Sequence, residues 1–149
     1  MRRLVLFGAL AMVLLGVMGG SAAGQTGARD FAVGGGNDGV GHFSFSAHQR
    51  LLQQASGHMN YRSPALDVAA TTSCLIVRGN EAFMLGDIEQ DKSSGVPAGA
   101  DRVAFVVSDV PGLDGFEIFF ASPGLGGCLE PFPGFPIVSG NIVVADRAP

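Results

Sequence analysis

The chain has no tryptophan, one tyrosine (Tyr61) and one lysine (Lys92). Each shortage narrows the function. Sugar-binding faces usually rely on aromatic platforms, and with only Tyr61 beyond the phenylalanines a typical carbohydrate module is not expected. An outer-membrane barrel needs girdles of tryptophan and tyrosine at both interfaces, and these are missing too. Nucleic acids and anionic membranes are held by clustered positive charge. Lys+Arg total 9 against 13 Asp+Glu, with no basic stripe, so neither is an expected partner.

Catalytic signatures are equally scarce. No serine lies in a Gly-x-Ser-x-Gly elbow. Gly34 to Gly36 precede neither a helix nor a Lys-Ser/Thr pair, so a phosphate cradle is unsupported. Helical periodicity is absent after the N-terminal segment, and Gln49 to Ser56 has room for one helical turn at most.

What is present begins at the N-terminus. Arg2 and Arg3 are followed by an uncharged apolar run, Leu4 to Met18, and then by Gly19, Gly20, Ser21, Ala22 and Ala23. A basic start, an apolar middle and a small-residue end make a secretory signal peptide, residues 1–23, cleaved after Ala23. An uncleaved anchor is the alternative, because a span needs about 20 apolar residues. No cysteine lies at the cleavage region, which excludes the usual lipoprotein. Removing Arg2 and Arg3 takes Lys+Arg from 9 to 7 against 13 acids, a net charge of 7 − 13 = −6. Residues 24–29 read as a flexible leader, and residues 30–149 as one domain.

That domain repeatedly shows period two. Phe43, Phe45 and Ala47 alternate with His42, Ser44, Ser46 and His48, and Met59 and Tyr61 alternate with His58, Asn60 and Arg62. Both segments are strands with one wet face. CLIV, RVAFVV, FEIFF and NIVV are further strand-length runs, separated by Gly, Pro and Asn breakers. Strands are expected near residues 30–35, 40–48, 57–62, 66–78, 81–89, 101–109, 115–121 and 140–146. In LIVRGNEAFML, Gly79 and Asn80 make a tight hairpin turn. That register sets Arg78 opposite Glu81, Ile76 opposite Phe83 and Cys74 opposite Leu85. Short connections favour neighbour pairing. The expectation is an all-β fold, an antiparallel meander of about eight strands, forming an up-and-down barrel in preference to a two-sheet sandwich. Ser122 to Gly140 carries Pro123, Pro131, Pro133 and Pro136, which exclude regular structure there. Within it, Phe132 and Phe135 either cap the core, the favoured reading, or present an apolar contact to a partner.

Cys74 and Cys128 are the only cysteines. In an oxidising compartment two thiols become one disulfide. A redox-active pair is the alternative, but it lacks the Cys-x-x-Cys spacing.

The succession of Gly34 to Gly36, Phe43 and Phe45, Gly57 to Tyr61, Val77 to Ala82 and Gly140 to Val144 resembles a small all-β domain of bacterial secreted and envelope-associated proteins. That domain is found alone or after choice-of-anchor segments. The resemblance spans nearly the whole mature chain and implies a location and a fold rather than a chemistry. It also implies a disulfide, since relatives place cysteines similarly before the hairpin and before the last strand.

Spacing decides among the candidate sites. His42 and His48 share a strand face but stand six residues apart, about 20 Å at strand rise, too far for one metal ion. His48 and His58 become cross-strand neighbours if the turn falls near residue 52, yet no acid or thiol sits beside them in sequence. Asp87, Glu89 and Asp91 alternate at a strand end, and Asp109 and Asp114 bracket a Pro-Gly turn. Neither set matches a calcium loop, so both read as solvated acids. No catalytic, metal or cofactor residue is assigned, and no cofactor is expected. The sequence therefore describes an exported, non-enzymatic, structural or binding β domain, secreted or held in the cell envelope, with an extracellular or envelope partner of unspecified kind. After cleavage it has no stable membrane insertion. A barrel carrying a small apolar ligand is the alternative, and a secreted hydrolase the third reading.

Overall fold

The computed structural model describes residues 29–50, 54–122 and 127–146. The signal peptide (1–23), its cleavage point at Ala23 and the leader through residue 28 lie outside the described residues. Nine strands follow in chain order: β1 (Arg29–Asn37), β2 (His42–Arg50), β3 (Ser56–Arg62), β4 (Asp67–Arg78), β5 (Glu81–Asp91), β6 (Arg102–Ser108), β7 (Gly115–Ala121), β8 (Phe135–Pro136) and β9 (Ser139–Ala145). They form one sheet in the order β8-β7-β6-β5-β4-β3-β2-β1-β9. All neighbours are antiparallel. The sheet curls through 285° into a half-barrel and does not split into a sandwich.

The hairpin at Gly79 and Asn80 has the expected register, with Arg78 opposite Glu81, Ile76 opposite Phe83 and Cys74 opposite Leu85. Three local expectations change. Arg29, assigned to the leader, opens β1, and Gln49 and Arg50, assigned to a possible helical turn, continue β2. The proline-rich stretch contains the short strand β8, which pairs Phe135 with Phe116 and Pro136 with Gly115. Proline is tolerated there because β8 is an edge strand.

Period two builds the interior. Phe43, Phe45 and Ala47 of β2, Met59 and Tyr61 of β3, and Val103, Phe105 and Val107 of β6 all point inward and are buried. Phe116 of β7 stacks on Phe43 of β2 at 4.0 Å between ring centres, with planes 2° apart. It also meets Phe105 edge-on at 4.9 Å and lies parallel to Tyr61 at 6.0 Å. These contacts join strands on opposite sides of the curl, so side chains fill the space between them. Each buried ring contributes on the order of 2 kcal/mol through removal from water, plus a smaller term for ring geometry. The glycines of β1 make room for this packing. A methyl group at Gly34 would meet Phe45 Cζ at 2.9 Å, and one at Gly36 would meet Phe43 Cζ at 3.1 Å.

A second cluster lies on the outside of the sheet. Phe83 and Leu85 of β5 and Ala104 and Val106 of β6 are buried there, with the half-buried Cys74, Ala121 and Cys128 packed against them. This explains why β5 and β6 read as continuous apolar runs, since both of their faces are covered. A bulge between Thr72 and Cys74 shifts the alternation of β4. Thr72 consequently points inward, with its Oγ1 lacking a hydrogen-bond partner among the described residues, whereas Cys74 points outward and bonds Cys128.

From Cys128 the chain forms a strap. Glu130 pairs with Arg78 at 3.4 Å, and Phe132 packs edge-on against Phe119 with ring centres 5.8 Å apart. β8 then joins β7. Next, the Ile137 amide donates to Asp114 O at 3.0 Å and the Val138 amide to Asn37 O at 2.8 Å. The strap thus links β4, β7 and β1 across the opening of the curl. The favoured core-cap reading of Phe132 and Phe135 is corrected here. Phe132 covers the outer face through Phe119, and Phe135 remains 70% exposed.

Candidate functional site

Three polar arrangements use the chain's charged and hydrogen-bonding residues. The first closes the seam. β9 bonds β1 along one edge, which leaves the amides of Ile142 and Val144 directed to the other edge. Asp114 Oδ2 accepts from the Ile142 amide at 2.8 Å, and Asp109 Oδ2 accepts from the Val144 amide at 3.2 Å. The two acids bracketing the Pro-Gly turn are therefore not merely solvated. They substitute for a strand, giving charge-assisted bonds to donors that would otherwise sit at an open edge. A groove of about 360 Å³ runs beside them, walled by Leu113, Ile137, Val138 and Asn141.

The second sits at the β1–β2 turn. Asp38 Oδ1 accepts from the amides of Gly41 at 2.7 Å and Val40 at 2.8 Å. Its Oδ2 accepts from the Tyr61 hydroxyl at 2.9 Å. Burial opposes the Asp38 charge, but those amides and the phenol outweigh it and hold the carboxyl below its ordinary value of 3.8. Tyr61, 4% exposed, shifts the other way. Burial raises its hydroxyl, and the hydrogen bond to Asp38 and that residue's charge raise it further, to about 12. This pair ties the turn to β3; it is a structural latch, because the phenol is committed to Asp38 and held protonated.

The third lies on the wet outer face of β2 to β5. Successive registers align Ser44, Asn60, Ala69 and Gln90 in one row. A second row aligns His42, Arg62 and Asp67, and the Lys92 amide extends it by donating to Asp67 O at 3.0 Å. Small Ala69 leaves a depression of about 480 Å³ bounded by both rows. Arg62 pairs with Asp67 at 3.2 Å, both partly exposed. The depression offers amide, hydroxyl, guanidinium, ammonium and carboxylate groups on one surface.

The remaining sequence candidates have ordinary partners. The register sets His48 opposite Ser56 and His58 opposite Ser46, so the two histidines are not directly opposed. His48 Nε2 lies 3.0 Å from Ser56 Oγ. Asp87 pairs with Arg102 at 3.0 Å, Glu89 accepts from Thr71, and Asp91 accepts from the Ser93 amide at 2.8 Å. Among the described residues, no group of three or more His, Cys, Asp or Glu is placed to hold a metal ion. No helix among them is long and apolar enough to cross a membrane.

These features define an all-β antiparallel meander domain with a curled sheet and a disulfide. No protein family, curated protein or solved structure matches the chain. The Cys74–Cys128 bond points to an oxidising, extracytoplasmic setting.

Sequence reading missed the seam acids and the outer-face rows. The first pairs residues 35 positions apart, Asp109 and Val144. The second had a usable signal, since Ser44 and Asn60 both fall on the wet phase of their strands. Only the inter-strand register places them side by side.

Proposed function

We propose that this chain is an exported, non-catalytic β domain that serves a structural or binding role outside the cytoplasm, either secreted or retained in the cell envelope. One observation carries the reading: the inward space is occupied by stacked rings, with Phe116 packed onto Phe43. The buried or part-buried acids Asp38, Asp109 and Asp114 are spent on backbone amides. Enzymes need polar groups converging where a reacting atom can sit, and these three acids are instead directed at the protein's own turns and edges. The same filled interior weighs against the carrier of a small apolar ligand, and the commitment of the acids weighs against a hydrolase. The signal sequence and the disulfide support export.

Intact mass spectrometry of the protein recovered from culture supernatant and from cell envelope tests this. The expected mass is that of residues 24–149 less two hydrogens. A full-length species confined to membranes would replace the secreted form with an anchored one. Two alkylatable thiols in the native protein would overturn the oxidised, exported reading. A co-purifying apolar molecule in a native spectrum would favour the carrier.

A further inference from the structure

We propose that the outer-face depression across β2 to β5 binds a carboxylate-bearing saccharide, which gives the binding role above a ligand class and rests on that reading. Its floor is the row Ser44, Asn60 and Gln90 around the small Ala69, with the depression about 480 Å³ in volume. Four strands spaced about 4.8 Å apart make such a row roughly 14 Å long, the length of a short oligosaccharide. Each polar floor residue is exposed. Ser44 and the two carboxamides supply both donors and acceptors, which suits hydroxyls that must do both.

The second row adds charge. The Asp67 carboxylate receives the Arg62 guanidinium at 3.2 Å, and it fixes that planar donor beside the floor while leaving N–H groups to spare. Lys92 stands at the row's end, held there by its amide bond to Asp67 O. His42 closes the opposite end, on β2. Without an aromatic platform, hydroxyl contacts alone only exchange protein for water and gain little. A ligand carboxylate directed at Lys92 adds the charge-assisted contact that makes binding net favourable. The chemistry thus selects an acidic saccharide over a neutral one, and it makes affinity fall with salt.

Titrating the mature, disulfide-bonded protein with trigalacturonate, followed by amide NMR shifts, tests this against galactotriose as the neutral comparator. The expected result is shifts at Ser44, Asn60, Ala69 and Gln90 with trigalacturonate and far smaller ones with galactotriose. Lys92→Ala, an exposed substitution, should weaken binding about fivefold. Asn60→Ala should weaken it without disturbing the remaining spectrum. Equal responses to both sugars, shifts mapping elsewhere, an unaffected Lys92→Ala variant or no response at all would each overturn the proposal. The same spectra separate this failure from failure of the non-catalytic reading. Trigalacturonate left intact and unbound sinks the ligand assignment alone, whereas its cleavage would sink the non-catalytic role.

Discussion

Asp114 accepts the backbone amide of Ile142 at 2.8 Å from 28 positions away in the chain. A side chain here does what a strand does elsewhere in the sheet. A sheet curled through 285° leaves two edges that do not pair directly with each other, and unpaired edge amides invite a foreign strand. Asp109 repeats the device two residues along β9, at Val144, while the strap bridges the same opening through Ile137 and Val138.

Removing the Asp114 carboxylate should therefore cost more than removing an ordinary surface acid. Asp114→Ala is expected to lower stability by about 1–3 kcal/mol, the range for losing a bond to a charged group. Asp114→Asn keeps an accepting oxygen and should lose less. Urea denaturation reads the first, and hydrogen exchange at the Ile142 amide reads the second. Wild-type exchange at Ile142 in the alanine variant would show that the carboxylate does not protect the edge.

The disulfide supports a surface as well as a loop. Its 54-residue separation corresponds to about 4 kcal/mol of lost unfolded-state entropy. Cys74 and Cys128 also pack against Phe83, Leu85, Ala104 and Val106. Cys74→Ser with Cys128→Ser should lower the denaturation midpoint. If the protein stays folded, it should also bind a hydrophobic dye that the oxidised form excludes. A loss of stability without dye binding would mean that the strap stays seated on its own contacts.

Tyr61 is the only tyrosine, and tryptophan is absent, so phenolate absorbance reports on this one side chain. Its hydroxyl is raised from 10.0 to about 12. Raising an acid's pKa in the folded state favours the protonated form there. Above pH 10 the unfolded chain releases the proton first, so it binds fewer protons than the folded chain and stability falls as pH rises. The latch contributes fully below pH 10 and is lost between there and about 12. Asp38, held below 3.8, contributes above that value, and its share is lost as pH falls through the lowered range. Absorbance titration should place the native phenol about two units above the denatured one, unless alkali unfolds the protein first. Tyr61→Phe should cost about 1 kcal/mol and flatten the alkaline limb.

Much of the fold was legible because its signals are local. Gly79 and Asn80 define a turn, and a turn defines its own register, so Arg78, Ile76 and Cys74 could be matched to partners from the sequence. Alternation at Phe43, Phe45, Met59 and Tyr61 told inside from outside. The bulge near Thr72 was not legible, and it decides that Cys74 faces out toward Cys128. Asp109 and Asp114 looked solvated because their partners are amides of β9, which carry no side-chain signature. Phe135 reads as a cap on the core because long ordered loops usually pack with their own side chains, yet its place on a two-residue edge strand leaves it exposed. The outer-face site depends on four strands in register, a relation that no single segment contains.

The glycine run of β1 offers the sharpest test of how the interior is filled. A methyl group at Gly34 would lie 2.7 Å from the Asn141 carbonyl oxygen and 2.9 Å from Phe45 Cζ. The ring can turn aside; the carbonyl belongs to β9 and moves only with that strand. Gly34→Ala is therefore expected to destabilise by about 1–3 kcal/mol through overpacking. Gly127→Ala, with no described residue within 4 Å of the new methyl, should stay within about 0.5 kcal/mol of wild type. Adding Phe45→Leu to Gly34→Ala separates the two contacts, since leucine removes the ring but leaves the carbonyl. Partial recovery relative to Phe45→Leu alone would mean that ring and strand share the cost. Complete recovery would assign the whole cost to the ring and show that β9 tolerates the displacement.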